Sequence, residues 1–204
     1  AGLEGSGQRP FMQLLAGLRR PDSGSVYYDN QPFAYDHPHV VYLPADRLHE
    51  GIIGDMSLTE HIRLLRDSLL VAGESATTKA QQLIHDYAIK ATPDMPLRML
   101  SGGNQQRAML ALIPADATGI VLEHPTRGLD TLSAQGIWQR LRERSQSGTT
   151  VVFFSADLDE LLQYADVVLV FFGGAISQLI DRSHLSDEKL AALIGGVGFA
   201  EVVQ

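Results

Sequence analysis

Four short apolar runs limit what this chain can fold into: Val40–Leu43, Gly119–Glu123, Thr149–Ser155 and Val167–Phe172. Each is short and rich in β-branched, aliphatic or aromatic residues, the mark of a buried strand. Segments with helical spacing lie around them. Their apolar positions are Phe11, Leu14, Leu15 and Leu18, then Leu58, Ile62, Leu65 and Leu69, then Ala80, Leu83, Ile84, Tyr87 and Ala88. A stretch from Asn104 to Leu112, one beginning near Ser133 with Ile137, Trp138 and Leu141, and one with Leu158, Leu161 and Leu162 complete the set. Strands that are apolar throughout and alternate with helices imply an α/β fold with a mostly parallel sheet covered on both faces. Ser25–Tyr28 reads as a further strand after the turn Pro21-Asp22-Ser23-Gly24, and Gly173-Gly174 as a hairpin turn. Ser57 and Glu60 form a capping box that opens a helix. The interval from about 47 to 100 carries no strand pattern beyond its borders and is expected to be a helical insertion in a single domain spanning 1–204.

Composition removes whole classes. With 204 residues, 45% of them hydrophobic and 20% charged, the chain can bury a core without staples. It has no cysteine, so a disulfide framework and a thiolate zinc site are excluded. Its 16 basic and 24 acidic residues give a net charge of −8, which disfavours nucleic acid as a partner. No apolar run is long enough to span a bilayer, so a membrane role has to pass through a partner subunit.

The chain opens on a glycine-rich loop, Ala1-Gly2-Leu3-Glu4-Gly5-Ser6-Gly7. Such loops connect a buried strand to a helix, so the expectation is that N-terminal strands are missing; the alternative is a flexible leader. Laid on the phosphate-binding pattern G-x-x-x-x-G-K-[ST], Gly2 and Gly7 take the glycine positions. Gln8 then stands at the lysine and Arg9 at the Ser/Thr. A second motif is Leu100-Ser101-Gly102-Gly103-Asn104-Gln105-Gln106-Arg107. Small residues opening a helix leave backbone N–H groups at its positive end, a setting for an anion. A third motif follows the strand Gly119–Glu123: His124-Pro125-Thr126-Arg127-Gly128-Leu129-Asp130. In phosphate-binding folds, a carboxylate at the end of such a strand holds the nucleotide's Mg²⁺.

In these motifs, their order and their spacing, the chain resembles the nucleotide-binding domain of ABC transporters, a P-loop NTPase of three αβα layers. Leu100 to Arg107 looks like the signature, and Pro125 to Asp130 like the run into the D-loop, with Gly128, Leu129 and Asp130 as its core. The forms LSGGNQQR and PTRGLD, with Pro44-Ala45-Asp46-Arg47, are most similar to the second ATP-binding half of sugar and nucleoside importers. The resemblance implies a nucleotide loop at Gly5, Ser6, Gly7, Gln8 and Arg9, and a Q-loop position at Ala45. It also implies a switch position at Ala156 and a helical subdomain that docks on a transmembrane permease. It implies ATP as ligand, pairing with a second nucleotide-binding domain, and a place on the cytoplasmic, inner face of the cell membrane.

Against that family pattern, the sequence departs at nearly every catalytic position. Gln8 lacks the charge that neutralises phosphate, and Arg9 lacks the hydroxyl that binds Mg²⁺. Pro10 deletes a first-turn N–H that a phosphate cradle would use. Glu123 stands for the Walker B aspartate, His124 for the catalytic glutamate, Ala45 for the Q-loop amide and Ala156 for the switch histidine. The signature and D-loop are intact. The expectation is a half-site that does not hydrolyse ATP, leaves Mg²⁺ without an anchor and completes a partner's site through Ser101, Gly102 and Gly103. Arg9 can fork onto phosphate oxygens, so nucleotide binding without hydrolysis is compatible with this reading.

The sequence leaves three other readings open. In a competent ATPase, Arg9 and His124 would have taken over the lost roles. An ABC-type protein acting on nucleic acid would carry a basic arm, which is absent. A structural remnant would bind neither nucleotide nor partner. Smaller expectations are that Asp46 and Arg47 form a local ion pair, that Arg127 braces its loop, and that His37 and His39 flank Pro38 as solvated residues without a third metal ligand. Trp138 and the pairs Phe153/Phe154 and Phe171/Phe172 are expected to pack in the core or between elements.

Overall fold

The computed structural model describes residues 1–28, 30–32, 39–65, 69 and 74–203. His37 and Pro38 lie outside the described residues. The chain divides into two compact units, one of residues 1–37 and 152–204, the other of residues 38–151.

In the first unit, α1 (Gln8–Leu15) starts on Gly7, whose φ of 112° no residue with a side chain adopts readily. The sequence spacing placed this helix from Phe11 to Leu18. It begins three residues earlier and stops before Gly17 (φ 73°), which leaves Leu18 exposed. β1 (Tyr27–Tyr28) is shorter than the expected Ser25–Tyr28 and pairs antiparallel with β2 (Gln31–Pro32), a strand that the sequence did not announce.

The second unit holds the parallel pair. β3 (Val40–Leu43) runs beside β4 (Gly119–Glu123) with Val40 opposite Gly119 and Leu43 opposite Leu122. Every residue of β4 is buried, as a strand covered on both faces requires. β5 (Thr150–Phe154) enters on β4's other side, where Thr150 N donates to the Thr118 carbonyl at 2.9 Å.

Between β3 and β4, the described residues hold helices and one isolated bridge, Ser57 to Pro96. A π-helical turn covers Arg47–Gly51, then come α2 (Leu58–Leu64) and α3 (Ala76–Asp86). The capping box is formed. Ser57 Oγ accepts from Glu60 N, and Glu60 Oε2 accepts from Ser57 N at 2.7 Å. Leu58 and Ile62 are fully buried, and His61 is buried behind them. Ile53 N donates to His61 Nε2 at 3.0 Å, so the ring proton sits on Nδ1, which meets the Ser57 carbonyl at 2.8 Å. α3 stops at Asp86 because Ala88 takes a left-handed φ of 49°; Ala88 is therefore outside the helix it was expected to close.

α4 (Gly102–Ala111) begins two residues before the expected Asn104, and α5 (Thr131–Gln146) buries Ile137, Trp138 and Leu141 as expected. α6 (Leu158–Tyr164) follows β5. The run Val167–Phe172 is two strands instead of one. β6 (Val167–Val168) pairs with β9 (Ile180–Asp181), and β7 (Phe171–Phe172) pairs with β8 (Ala175–Ile176), both antiparallel. The break occurs where Val170 N donates to the Ser177 hydroxyl in place of a ladder carbonyl. Gly173 and Gly174 turn the β7–β8 hairpin with φ of 57° and 81°. These strands, α6 and α7 (Asp187–Ile194) enclose the first unit's core of Leu161, Leu162, Val168, Val170, Leu190 and Phe199. Phe171 is buried with them, while Phe172 stays at the margin, against Phe199.

Candidate functional site

The glycine-rich loop belongs to the first unit and closes on itself. Gly2 bridges Phe171 in parallel, and Ala1 is held from both sides, its N donating to the Leu169 carbonyl and its own carbonyl accepting from Phe171 N. A Cβ on Gly2 would fall against the Gln8 amide and 2.7 Å from the Phe171 carbonyl oxygen, so only glycine fits. The Leu3 carbonyl accepts from Ser6 N at 3.1 Å and from Gln8 Nε2 at 2.8 Å. Gln8 is thus buried, its amide folded back across the loop. Glu4, Gly5, Arg9 and Pro10 are exposed; Ser6 and Gly7 are half-buried. Pro10 is the third residue of α1, so one of the first-turn N–H groups is absent.

The same unit carries the switch position. Ala156 is exposed at the end of β5, and its methyl group has no hydrogen-bonding capacity. Its neighbour Ser155 is buried, donates to Glu160 Oε2 at 2.6 Å and accepts from Asp157 N.

The remaining positions gather in the second unit. Glu123 is buried at the end of β4. Tyr42 Oη donates to its Oε1 at 2.7 Å, and Ala45 N donates to its Oε2 at 3.1 Å. The Q-loop position and the Walker B position are therefore tied directly to each other. His124 follows with a left-handed φ of 46°, a strained conformation for a histidine. Its carbonyl accepts from Arg127 N to open the D-loop turn, and Thr126 O accepts from Leu129 N. Asp130 caps α5 by accepting from Ser133 N at 2.9 Å and from Ser133 Oγ at 2.6 Å. Those two bonds, with the Arg107 charge behind them, hold the Asp130 carboxyl below its ordinary pKa. Arg107 in turn donates to Ser133 Oγ at 2.6 Å.

The segment from Leu100 to Arg107, which resembles the signature, leads into and opens α4. Ser101 is the N-cap, yet its hydroxyl caps no backbone N–H; it accepts from Asn104 Nδ2 at 2.8 Å. Asn104 Oδ1 accepts from Lys90 N at 2.8 Å, which fixes that amide's orientation. Gln105 points inward and donates to the Leu97 and Leu100 carbonyls. Gly102 and Gly103 are the first residues of the helix, so their N–H groups have no partner within it and leave its positive end open. A Cβ on Gly103 would come 3.3 Å from Leu129 Cδ2, so signature and D-loop lie against each other.

Asp46 and Arg47 attract each other through their charges, as expected of a local pair, but each makes its hydrogen bonds elsewhere. Asp46 caps the π-helical turn and pairs with His49 Nδ1 at 2.9 Å; these bonds keep its carboxyl below the usual range. Arg47 reaches past it to Gln106 and to the Arg127 carbonyl. Arg127 is an exposed residue whose backbone serves the loop. His39 pairs with Asp116 at 3.4 Å, and among the described residues no group of three His, Asp or Glu side chains could hold a metal. Tyr42 and Arg47 are the two residues at this site whose work the sequence did not show. Their partners are 81 residues away for Tyr42, and 59 and 80 away for Arg47.

Comparison with known proteins places the chain among related sequences and folds. It is 31% identical to the ribose import ATP-binding protein RbsA of Geobacillus kaustophilus over 96% of its own length and 42% of that protein. It is 34% identical to RbsA 1 of Mesorhizobium japonicum and 31% to the arabinose import ATP-binding protein AraG of Azospirillum brasilense. The chain spans about 40% of the length of those two proteins. Among solved structures, the fold is similar to the ADP conformation of the cassette MJ1267, with a TM-score of 0.70 and 19% identity over 98% of this chain and 84% of that one. The dimeric cassette MJ0796 bound to ADP and Pi gives 0.75 and 21% over 89% and 83%. These likenesses identify the P-loop α/β fold. The family model described as ABC transporter matches residues 1–127, more than half of the sequence, and so this chain belongs to the ABC transporter family.

Proposed function

We propose that this chain is one ATP-binding domain of an importer for sugars or nucleosides, that its own nucleotide site does not hydrolyse ATP, and that its signature completes the site of a partner domain. The observation that carries the reading is the loop at Gln8 and Arg9: the Gln8 amide is buried and folded back on the Leu3 carbonyl, and Arg9 offers no hydroxyl to a cation. At Glu123 both oxygens accept hydrogen bonds from within the fold, one from a phenol and one from a backbone N–H, which fixes the carboxylate against β3. With Arg9 in place of the hydroxyl, the residues present do not fit Mg²⁺. His124, on a strained backbone beside the buried Pro125, and the methyl groups of Ala45 and Ala156 offer no replacement. The loop at Gly5, Ser6, Gly7, Gln8 and Arg9 can still meet phosphate through Arg9, which supports binding without turnover.

The signature reads the opposite way. Asn104 holds the Ser101 hydroxyl at the mouth of α4, and the Gly102 and Gly103 N–H groups point out of the helix's positive end. When a partner's ATP is bound there, these groups meet charge that grows on the transferred phosphoryl group. Sugar import is the function in the names of the relatives RbsA and AraG, and the motif forms LSGGNQQR and PTRGLD support it here.

The permease is the second proposed partner, and the helical subdomain of about 47–100 is its proposed dock. A groove of about 330 Å³ runs between the π-helical turn, α2 and α4, lined by Leu43, Ile52, Ile53, Leu65, Met109 and Leu112 among others. Leu48, Ile53, Leu64 and Leu65 stay exposed along this region. Among the described residues no helix is long and apolar enough to cross a membrane. Contact with the bilayer's permease on the cytoplasmic face is thus the proposed source of membrane association.

The test is nucleotide occlusion in the full-length protein assembled with its permease, trapped with Mg-ATP and orthovanadate and counted after filtration. One vanadate-trapped ADP per pair of domains is expected, with any second nucleotide recovered as intact ATP. Two trapped ADP per pair would overturn the proposal.

A further inference from the structure

Resting on the proposed use of the signature by a partner, we infer that Arg47 is the positioning residue that sets the signature helix for that partner's nucleotide. One side chain joins three motif segments. It leaves the chain two residues after Ala45, at the start of the π-helical turn. Nη1 donates to Gln106 Oε1 on α4 at 3.2 Å and to the Arg127 carbonyl in the D-loop turn at 3.3 Å. Nη2 lies beside the signature, 3.3 Å from where a Cβ on Gly102 would stand.

The electrostatics make this a costly placement. The guanidinium sits near the positive end of α4, and Nη1 donates to two neutral amide oxygens. Burial lowers its pKa first, the Arg127 charge lowers it further, and the neighbouring Asp46 carboxylate offsets part of this. A cation beside a helix N-terminus that a carboxylate compensates only in part gains when a further anion arrives. A partner's triphosphate supplies that anion, so Arg47 both orients Gly102 and gains when the partner's nucleotide closes on it. Ala45 is pinned to Glu123, and Arg47 follows two residues later. Movement of the insertion therefore reaches the signature through this side chain.

Binding of ATP rests mainly on the partner's own phosphate loop, while the signature acts on closure and on the transition state. Loss of Arg47 is therefore expected to lower kcat and leave KM nearly unchanged. The experiment compares Arg47→Met and Arg47→Lys in the full-length protein assembled with its permease, with Tm measured on the same samples. Arg47→Met should lower kcat about tenfold or more, with KM within about threefold and Tm within a few degrees. Arg47→Lys should recover less than half of the lost rate, because its ammonium stops one bond short of Nη1 and has no group beside Gly102.

A wild-type kcat in Arg47→Met overturns the inference, as does a loss that only tracks unfolded protein, or full rescue by Arg47→Lys. Should Arg47→Met fail to fold, Arg47→Lys decides by the same split between kcat and KM. A Ser101→Arg control separates the two levels. Full activity there removes the underlying reading; loss of activity there with none in Arg47→Met removes Arg47's role alone.

Discussion

The Tyr42 hydroxyl donates to Glu123 Oε1 at 2.7 Å, across two neighbouring parallel strands. A charge-assisted bond of that length to a buried carboxylate is strong, and its loss leaves an acceptor stranded. Tyr42→Phe is expected to cost about 1–3 kcal/mol, which lowers Tm by roughly 2–10 °C. Calorimetry on the two proteins checks this, and an unchanged Tm would show that the bond is not formed.

The capping box at Ser57 and Glu60 starts the first helix of the insertion. Ser57→Ala removes the acceptor for Glu60 N and a donor to Glu60, at a cost of about 1 kcal/mol. Urea unfolding should show a lower midpoint with an unchanged m-value.

Five carboxylates share one response to pH. Asp46, Glu60, Asp130, Asp181 and Glu188 are each held below their ordinary values, chiefly by hydrogen bonds from local backbone N–H groups or from side-chain groups of His49 or serine. A folded pKa below the unfolded one gives stability that is complete above the unfolded values of 3.8 and 4.5 and is lost as pH falls through the folded ones. Stability is therefore expected to hold at pH 5 and to decline steeply only in stronger acid. Asp130→Asn should flatten part of that decline, measured as urea midpoints from pH 6 to pH 3.

Restoring the loop's lysine should not restore turnover. In Gln8→Lys with Arg9→Thr the amide no longer crosses the loop and a cation reaches the phosphates. Nucleotide affinity is expected to rise about tenfold, seen as a larger thermal shift with Mg-ATP, while hydrolysis at this site stays absent. Turnover dependent on His124 in that variant would contradict the account.

Local signals carried most of the fold. The capping box needs only Ser57 and Glu60, and the burial of β4 follows from an unbroken apolar run. The Gly173-Gly174 turn is likewise set by two adjacent residues. Features decided by distant partners were not legible. Val167–Phe172 reads as one strand by hydropathy, but Ser177 takes the Val170 N–H and divides it. Asp46 and Arg47 are neighbours of opposite charge and attract each other, but their hydrogen bonds go to His49 and Gln106. At the site, the motif positions are those that the resemblance to the family pattern implies. That Tyr42 and Ala45 both donate to Glu123, and that Gln8 folds onto Leu3, required the fold.

The central claim is that this chain lends its signature and does not use its own site. The most direct measurement is the steady-state ATPase rate of the assembled transporter carrying either Ser101→Arg or His124→Ala. The account predicts a fall of about a hundredfold for Ser101→Arg, which blocks the partner's phosphate, and a wild-type rate for His124→Ala. A normal rate in Ser101→Arg together with a collapsed rate in His124→Ala would contradict it.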